Sequence, residues 1–211
     1  MRGQVYEQQG FDNSGPHICG RILTFVRQYV AMMNRTFILS PRFAALSSII
    51  LLAALSRLLP HWPNFTPVAA IALFGGAHYG KRMQAFLVPL AALFLSDLVL
   101  GFHHTMWAVY LGFVLTVIFG LGLRGKVALL PLSATVMGSS VVFFLLTNFG
   151  SWLGSPFYAQ TMTGLLTAYT AGLPFFLNSL AGDLFFSGAL FGSFYWLQQR
   201  YPALRGSGLN A

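Results

Sequence analysis

The chain has 211 residues, 56% of them apolar and only 8% charged, whereas soluble domains devote about a quarter of their residues to Asp, Glu, Lys and Arg. So few charges cannot cover a water-exposed surface, which excludes a soluble fold and makes a lipid bilayer the expected solvent. The net charge of +8 does not signal a nucleic-acid partner, because the basic residues are scattered in ones and twos between apolar blocks and form no stripe.

Residues 1–42 are polar and basic and read as a flexible cytoplasmic extension, or as one whose segment from Ile18 to Val30 lies on the membrane surface as an amphipathic helix. They contain no compact apolar region closed by a small-residue cleavage site, so they do not read as a signal peptide. Met32 and Met33 stand shortly before the first apolar run as alternative starts. Cys19 is the single cysteine, which excludes an intramolecular disulfide and a cysteine-based metal site.

Six apolar runs follow, at roughly 43–59, 65–80, 83–100, 107–123, 127–149 and 173–197. They predict an all-α bundle of six transmembrane helices over 43–197, with 198–211 as a cytoplasmic tail. In the first run Ala44, Ser48, Ala53 and Ala54 offer a small-residue face for a partner helix. The second run has only 16 residues, with Pro67 near its start and Gly75-Gly76 in its middle, and reads as a short, tilted span or as a re-entrant segment. Gly112, Thr116 and Gly120 in the fourth run, and Gly188 and Gly192 in the sixth, predict close helix packing within the bundle. The connection 150–172 reads as an outer loop carrying an interfacial helix around Gly164 to Ala171, placed to act as a lid.

Lys and Arg set the orientation. Five arginines precede the first run, Lys81 and Arg82 follow the second, Arg124 and Lys126 the fourth, and Arg200 and Arg205 the sixth. The connections 60–64, 101–106 and 150–172 hold none, and Arg57 is the only basic residue inside a run. The positive-inside rule therefore places both termini in the cytoplasm of a bacterial inner-membrane protein.

An acid within a span costs roughly 2.5–3.5 kcal/mol on insertion scales, so each is a functional candidate. Asp97 and Asp183 are the two, and both fall in the outer half of their spans with Asn148, Asn178 and the histidines of the outer connections. This convergence predicts a pocket open to the periplasm. Its candidate substrate-binding residues are Asn64, Phe65, Asp97, His103, His104, Trp107, Tyr110, Asn148, Trp152, Asn178 and Asp183. Belt positions for the tryptophans and helix-to-helix bonding for Asn178 and Asp183 are the competing readings. His78 lies toward the inner end of its span and reads as structural. No phosphate loop, zinc helix or nucleophile elbow is present, so no catalytic residue, enzyme activity or intrinsic cofactor is expected.

The segments Asn64-Phe65-Thr66-Pro67-Val68-Ala69-Ala70, Leu95-Ser96-Asp97-Leu98, Gly101-Phe102-His103-His104-Thr105-Met106-Trp107, Thr147-Asn148-Phe149-Gly150-Ser151-Trp152 and Leu173-Pro174-Phe175-Phe176-Leu177-Asn178 with Gly182-Asp183 resemble a family of bacterial transport proteins. That family is similar to the substrate-binding S components of energy-coupling factor (ECF) vitamin transporters. The resemblance covers about 43–197. It implies a vitamin-sized pocket near the outer face and docking, through the first three spans, on an ECF scaffold protein with two ATPases. Among vitamins it points to cobalamin or another corrinoid, with His103 or His104 as an axial ligand to the cobalt of the bound molecule. The first run lacks the clean alanine repeat such docking uses. Two other classes stay open: a membrane enzyme acting on a lipid or quinone through Asp97 and Asp183, and a structural subunit of a membrane complex.

Overall fold

In an apolar solvent a backbone must satisfy its own hydrogen bonds, and long apolar runs do so as helices. The computed structural model of the chain describes residues 40–205. Among them six α-helices occur, α1 (Pro41–Ser56), α2 (Val68–His78), α3 (Arg82–Leu100), α4 (Met106–Gly122), α5 (Leu129–Gly154) and α6 (Met162–Arg200), followed by a short 3-10 helix at Pro202–Leu204. Three of these, α3, α5 and α6, are long and apolar enough to cross a membrane. The extension before Ser40, with Cys19, Met32, Met33 and the segment 18–30, lies outside the described residues, as does the tail beyond 205.

The second helix organises the rest. It has 11 residues, nine of them buried, and at 1.5 Å per residue it is about 16 Å long, half of a hydrocarbon core of about 30 Å. Pro63 and Pro67 cannot donate backbone hydrogen bonds, and Pro67 restricts Thr66 before it, so the chain from Arg57 to Thr66 stays non-helical. The second run, expected as a short, tilted span or a re-entrant segment, thus forms a short central helix that is apolar along almost its whole length. Around it run α1, α3, α4, α5 and α6 in that order, and the 3-10 helix bridges α6 back to α1.

Close approach on α2 is made by glycine. A Cβ on Gly76 would collide with the Val117 carbonyl and Gly120 of α4, and one on Gly120 would collide with the Leu73 backbone. On the neighbouring face, Gly75 leaves room for the Pro89 ring of α3. Gly112 likewise admits the Phe143 ring, 2.8 Å from where its Cβ would stand. Gly188 and Gly192, by contrast, face open space on the outside of α6, so the expectation that they pack within the bundle is corrected.

The C-terminal carbonyls of α2 are satisfied by two arginines. Arg124 donates to the carbonyls of Gly76 (3.0 Å) and Tyr79 (2.6 Å). Arg42 donates to His78 O (3.0 Å) and Leu204 O (2.7 Å), joining α1, α2 and the 3-10 helix. Gln198 and Arg205 complete this corner through Leu204 O and Gln198 O, so residues 198–205 belong to the bundle and not to a free tail. His78 stacks among Phe74, Phe191 and Phe194, with ring centroids 4.5–5.0 Å away.

The connection 150–172 is also corrected. Residues 150–154 extend α5, and α6 begins at Met162 and runs 39 residues through Pro174 without a break. The apolar stretch from Gly164 to Ala171 is thus the start of α6 and not a separate interfacial helix. Proline removes one intrahelical bond, and that loss alone does not end a helix supported by its neighbours. The support comes from α5: Tyr169 donates to Leu145 O at 3.0 Å, and Phe144 packs against Tyr169 and Phe176.

Candidate functional site

Opposite the arginine-capped end of α2, a cleft of about 550 Å³ opens. The lip that leads into α2 is a tight turn, with Phe65 N–H donating to Trp62 O, Pro63 at its second position and Asn64 at its third with φ of 62°. Asn tolerates that left-handed conformation better than most residues. The lip carries Asn64 and Thr66 into the cleft wall. It is pinned to α6 by Asn178, whose Nδ2 donates to Pro63 O at 3.2 Å. Phe65 holds it further by packing on Phe185 and Phe186, and Gly182 lies where a Cβ would stand 3.2 Å from Phe65 Cα.

Val68 and Ala69, the first residues of α2, form the floor with no side chain capping the helix start. The far wall is α5 and α6, presenting Ser140, Phe143, Phe144, Thr147 and Asn148 from one and Phe176, Ser179 and Asp183 from the other. Asn148 spends its amide N–H on Phe144 O (2.9 Å), and its Oδ1 lies beside Gly172, where a Cβ would strike it.

The two acids are held differently. Asp183 is buried, and its Oδ2 accepts from Ser140 Oγ at 2.6 Å. Asp97 is turned toward Arg57: Oδ1 pairs with Nη1 at 2.8 Å, and Oδ2 accepts from Tyr110 at 3.0 Å. The same Arg57 Nη1 also contacts Ser96 Oγ, while its Nε has no partner among the described residues. Arg57, not Asp97, reaches the cleft wall.

Of the predicted site residues, Asn64, His103, Asn148 and Asp183 line the cleft. Asp97 and Tyr110 stand behind Arg57, and Phe65 and Asn178 hold the lip. The remaining three are corrected to supporting positions. Trp152 donates to Ala159 O at 2.8 Å and closes the α5–α6 turn, Trp107 packs near Gly150, and His104 packs against Gly154. His103 has its Nδ1 on Thr105 Oγ1 at 2.8 Å. Arg57, Ser140, Thr147 and the phenylalanines Phe143, Phe144, Phe175 and Phe176 were not among the predicted site residues. Arg57 had a signal, since a lone basic residue in a span beside two acids asks for an ion pair.

On the proposed docking face, Ala44 and Ser48 are exposed, but Ala53 packs against the core and Ala54 is 2% exposed. Ala54 therefore cannot meet a partner helix. Among the described residues no group of three or more His, Cys, Asp or Glu could hold a metal ion, and no histidine is bonded to a serine.

Over residues 37–204 the chain matches a family described as a family of unknown function (DUF6580). No curated protein and no solved structure matches it.

Proposed function

The chain belongs to that family of unknown function, and we propose that it is a membrane-embedded substrate-binding subunit for uptake of a vitamin-sized small molecule. The observation that carries this reading is the cleft itself. A cavity of about 550 Å³ with aromatic and aliphatic walls and a few fixed polar groups falls within the roughly 300–1,000 Å³ that small-molecule sites occupy.

The arrangement in the bilayer is part of the proposal. All six helices lie within the inner membrane, with α2 as a buried half-length element, which lipid permits only where protein covers it on all sides. The basic connections, and with them both termini, face the cytoplasm, so the cleft faces the periplasm. With no nucleotide-binding motif in the chain, energy for uptake comes from a partner ATPase module of the ECF kind, docked on the exposed side of α1 that carries Ala44 and Ser48. The cleft volume suits a compact ring compound; a corrinoid would extend beyond it, with His103 at the wall as its imidazole ligand.

The test is gentle purification of the full chain, followed by native mass spectrometry, visible absorbance and titration with a panel of vitamins that includes cobalamin. A retained or added ligand at nanomolar to micromolar affinity is expected. A chain that binds nothing in the panel and carries nothing from the cell contradicts the reading.

A further inference from the structure

Charge inside the cleft is unevenly matched. Arg57 is the one Lys or Arg on its wall, and that cation is already paired with Asp97. Asp183 has no such match: among the described residues no cation lies within ion-pairing distance, Ser140 is its one hydrogen-bond partner, and Oδ1 has none. Ser140 has a single proton to give. Two acceptors lie within its reach, Asp183 Oδ2 at 2.6 Å and Val136 O at 2.8 Å, and the carboxyl is the shorter contact, so at most one weakly shared hydrogen bond supports the acid.

A carboxylate removed from water and left without a cation is costly. Asp183 lies between α5 and α6 where they line the cavity, and the open side leaves room for that cation to arrive with a ligand. The rings on the same wall of the cleft suit the same charge. Phe143, Phe144 and Phe176 line this wall, with Phe144 and Phe176 at 4.8 Å between centroids, and aromatic faces attract cations most strongly where water is excluded.

We propose that the cleft selects ring compounds bearing a protonated amine or quaternary nitrogen, with that nitrogen seated between Asp183 Oδ1 and the phenylalanine wall. This rests on the cleft being a ligand site, and it names the class of ligand. Asp183 is the residue that recognises charge; Phe144 and Phe176 hold the ring. Arg57, neutralised by Asp97, makes no matching demand for an anion.

The experiment titrates three ring-matched probes, benzyltrimethylammonium, benzyl alcohol and phenylacetate, into the purified full chain in lipid nanodiscs. The cation is expected to bind at least about tenfold tighter than the alcohol, and phenylacetate more weakly than either. Asp183→Asn, which keeps a hydrogen-bonding partner for Ser140, is expected to erase the preference, and Asp183→Glu to retain part of it. Equal binding of cation and alcohol, no binding of any probe, or a preference that survives Asp183→Asn overturns the inference. Should Asp183→Asn fail to fold, the ratio in the unaltered chain still decides. Vitamin binding without charge preference would sink this inference alone, whereas failure of both probes and vitamins would take the uptake reading with it.

Discussion

Asp97 and Asp183 are the same side chain in two electrostatic settings, and substitution should separate them. Asp97 is committed to Arg57 and Tyr110, so Asp97→Leu strands a guanidinium whose side chain is only 13% exposed. Removing one partner of a buried pair costs about 3–5 kcal/mol, whereas replacing both with apolar residues of similar size is close to neutral. Thermal unfolding in detergent should therefore show Asp97→Leu strongly destabilised and the double variant Arg57→Met with Asp97→Leu largely recovered. Equal stability of the two would show that the stranded guanidinium is not the source of the cost. The acids were legible in the sequence because carboxylates are rare in apolar runs; which of them faced the cavity was not. That depended on Arg57, whose position just past the end of α1 brings it to Asp97 by a contact 40 residues away in sequence.

At the scale of elements, α2 explains most of what differs from a simple row of spans. Its apolar residues were visible, but its length was set by Pro67 and its survival as a short helix by the carbonyl bonds from Arg42 and Arg124. In the sequence those arginines read as orientation charges alone. Arg124→Ala leaves carbonyls of α2 without donors, at about 1–3 kcal/mol where they are buried, and should speed amide exchange over Leu73–Tyr79 before the rest of the bundle. Unchanged exchange there would show that the caps are dispensable. Glycines give a second contrast. Gly120→Leu drives a side chain into the Leu73 backbone and should destabilise by more than about 3 kcal/mol, beyond ordinary overpacking. Gly188→Leu meets open space and should leave the isolated protein as stable as before or more stable by up to about 1 kcal/mol, the helix-propensity gain over glycine; a cellular phenotype from it would mark a partner on that face. Small-residue spacing identified both sites, but spacing is the same for a helix face turned inward and one turned outward.

The bundle formed by the described residues has two unlike ends. One gathers Arg42, Arg124 and the 3-10 helix around the C-terminal carbonyls of α2; the other holds the lip, the uncapped start of α2 and the cleft. In a background where Cys19 is replaced by Ser, a cysteine at Lys126 should react with an impermeant thiol reagent only after the cytoplasmic side is opened. One at Phe157 should react in intact cells, and the reverse pattern would invert the proposed orientation. The central claim is that the cleft is where a ligand sits, and steric filling tests it most directly. Ala171 lines the cleft, whereas Leu166 is exposed and is not among the residues that line it. Affinity for the molecule that the purified protein retains should fall by at least about a hundredfold, or about 2.7 kcal/mol, in Ala171→Trp and stay within about threefold in Leu166→Trp. Undiminished binding in a folded Ala171→Trp would place the ligand elsewhere and contradict the account.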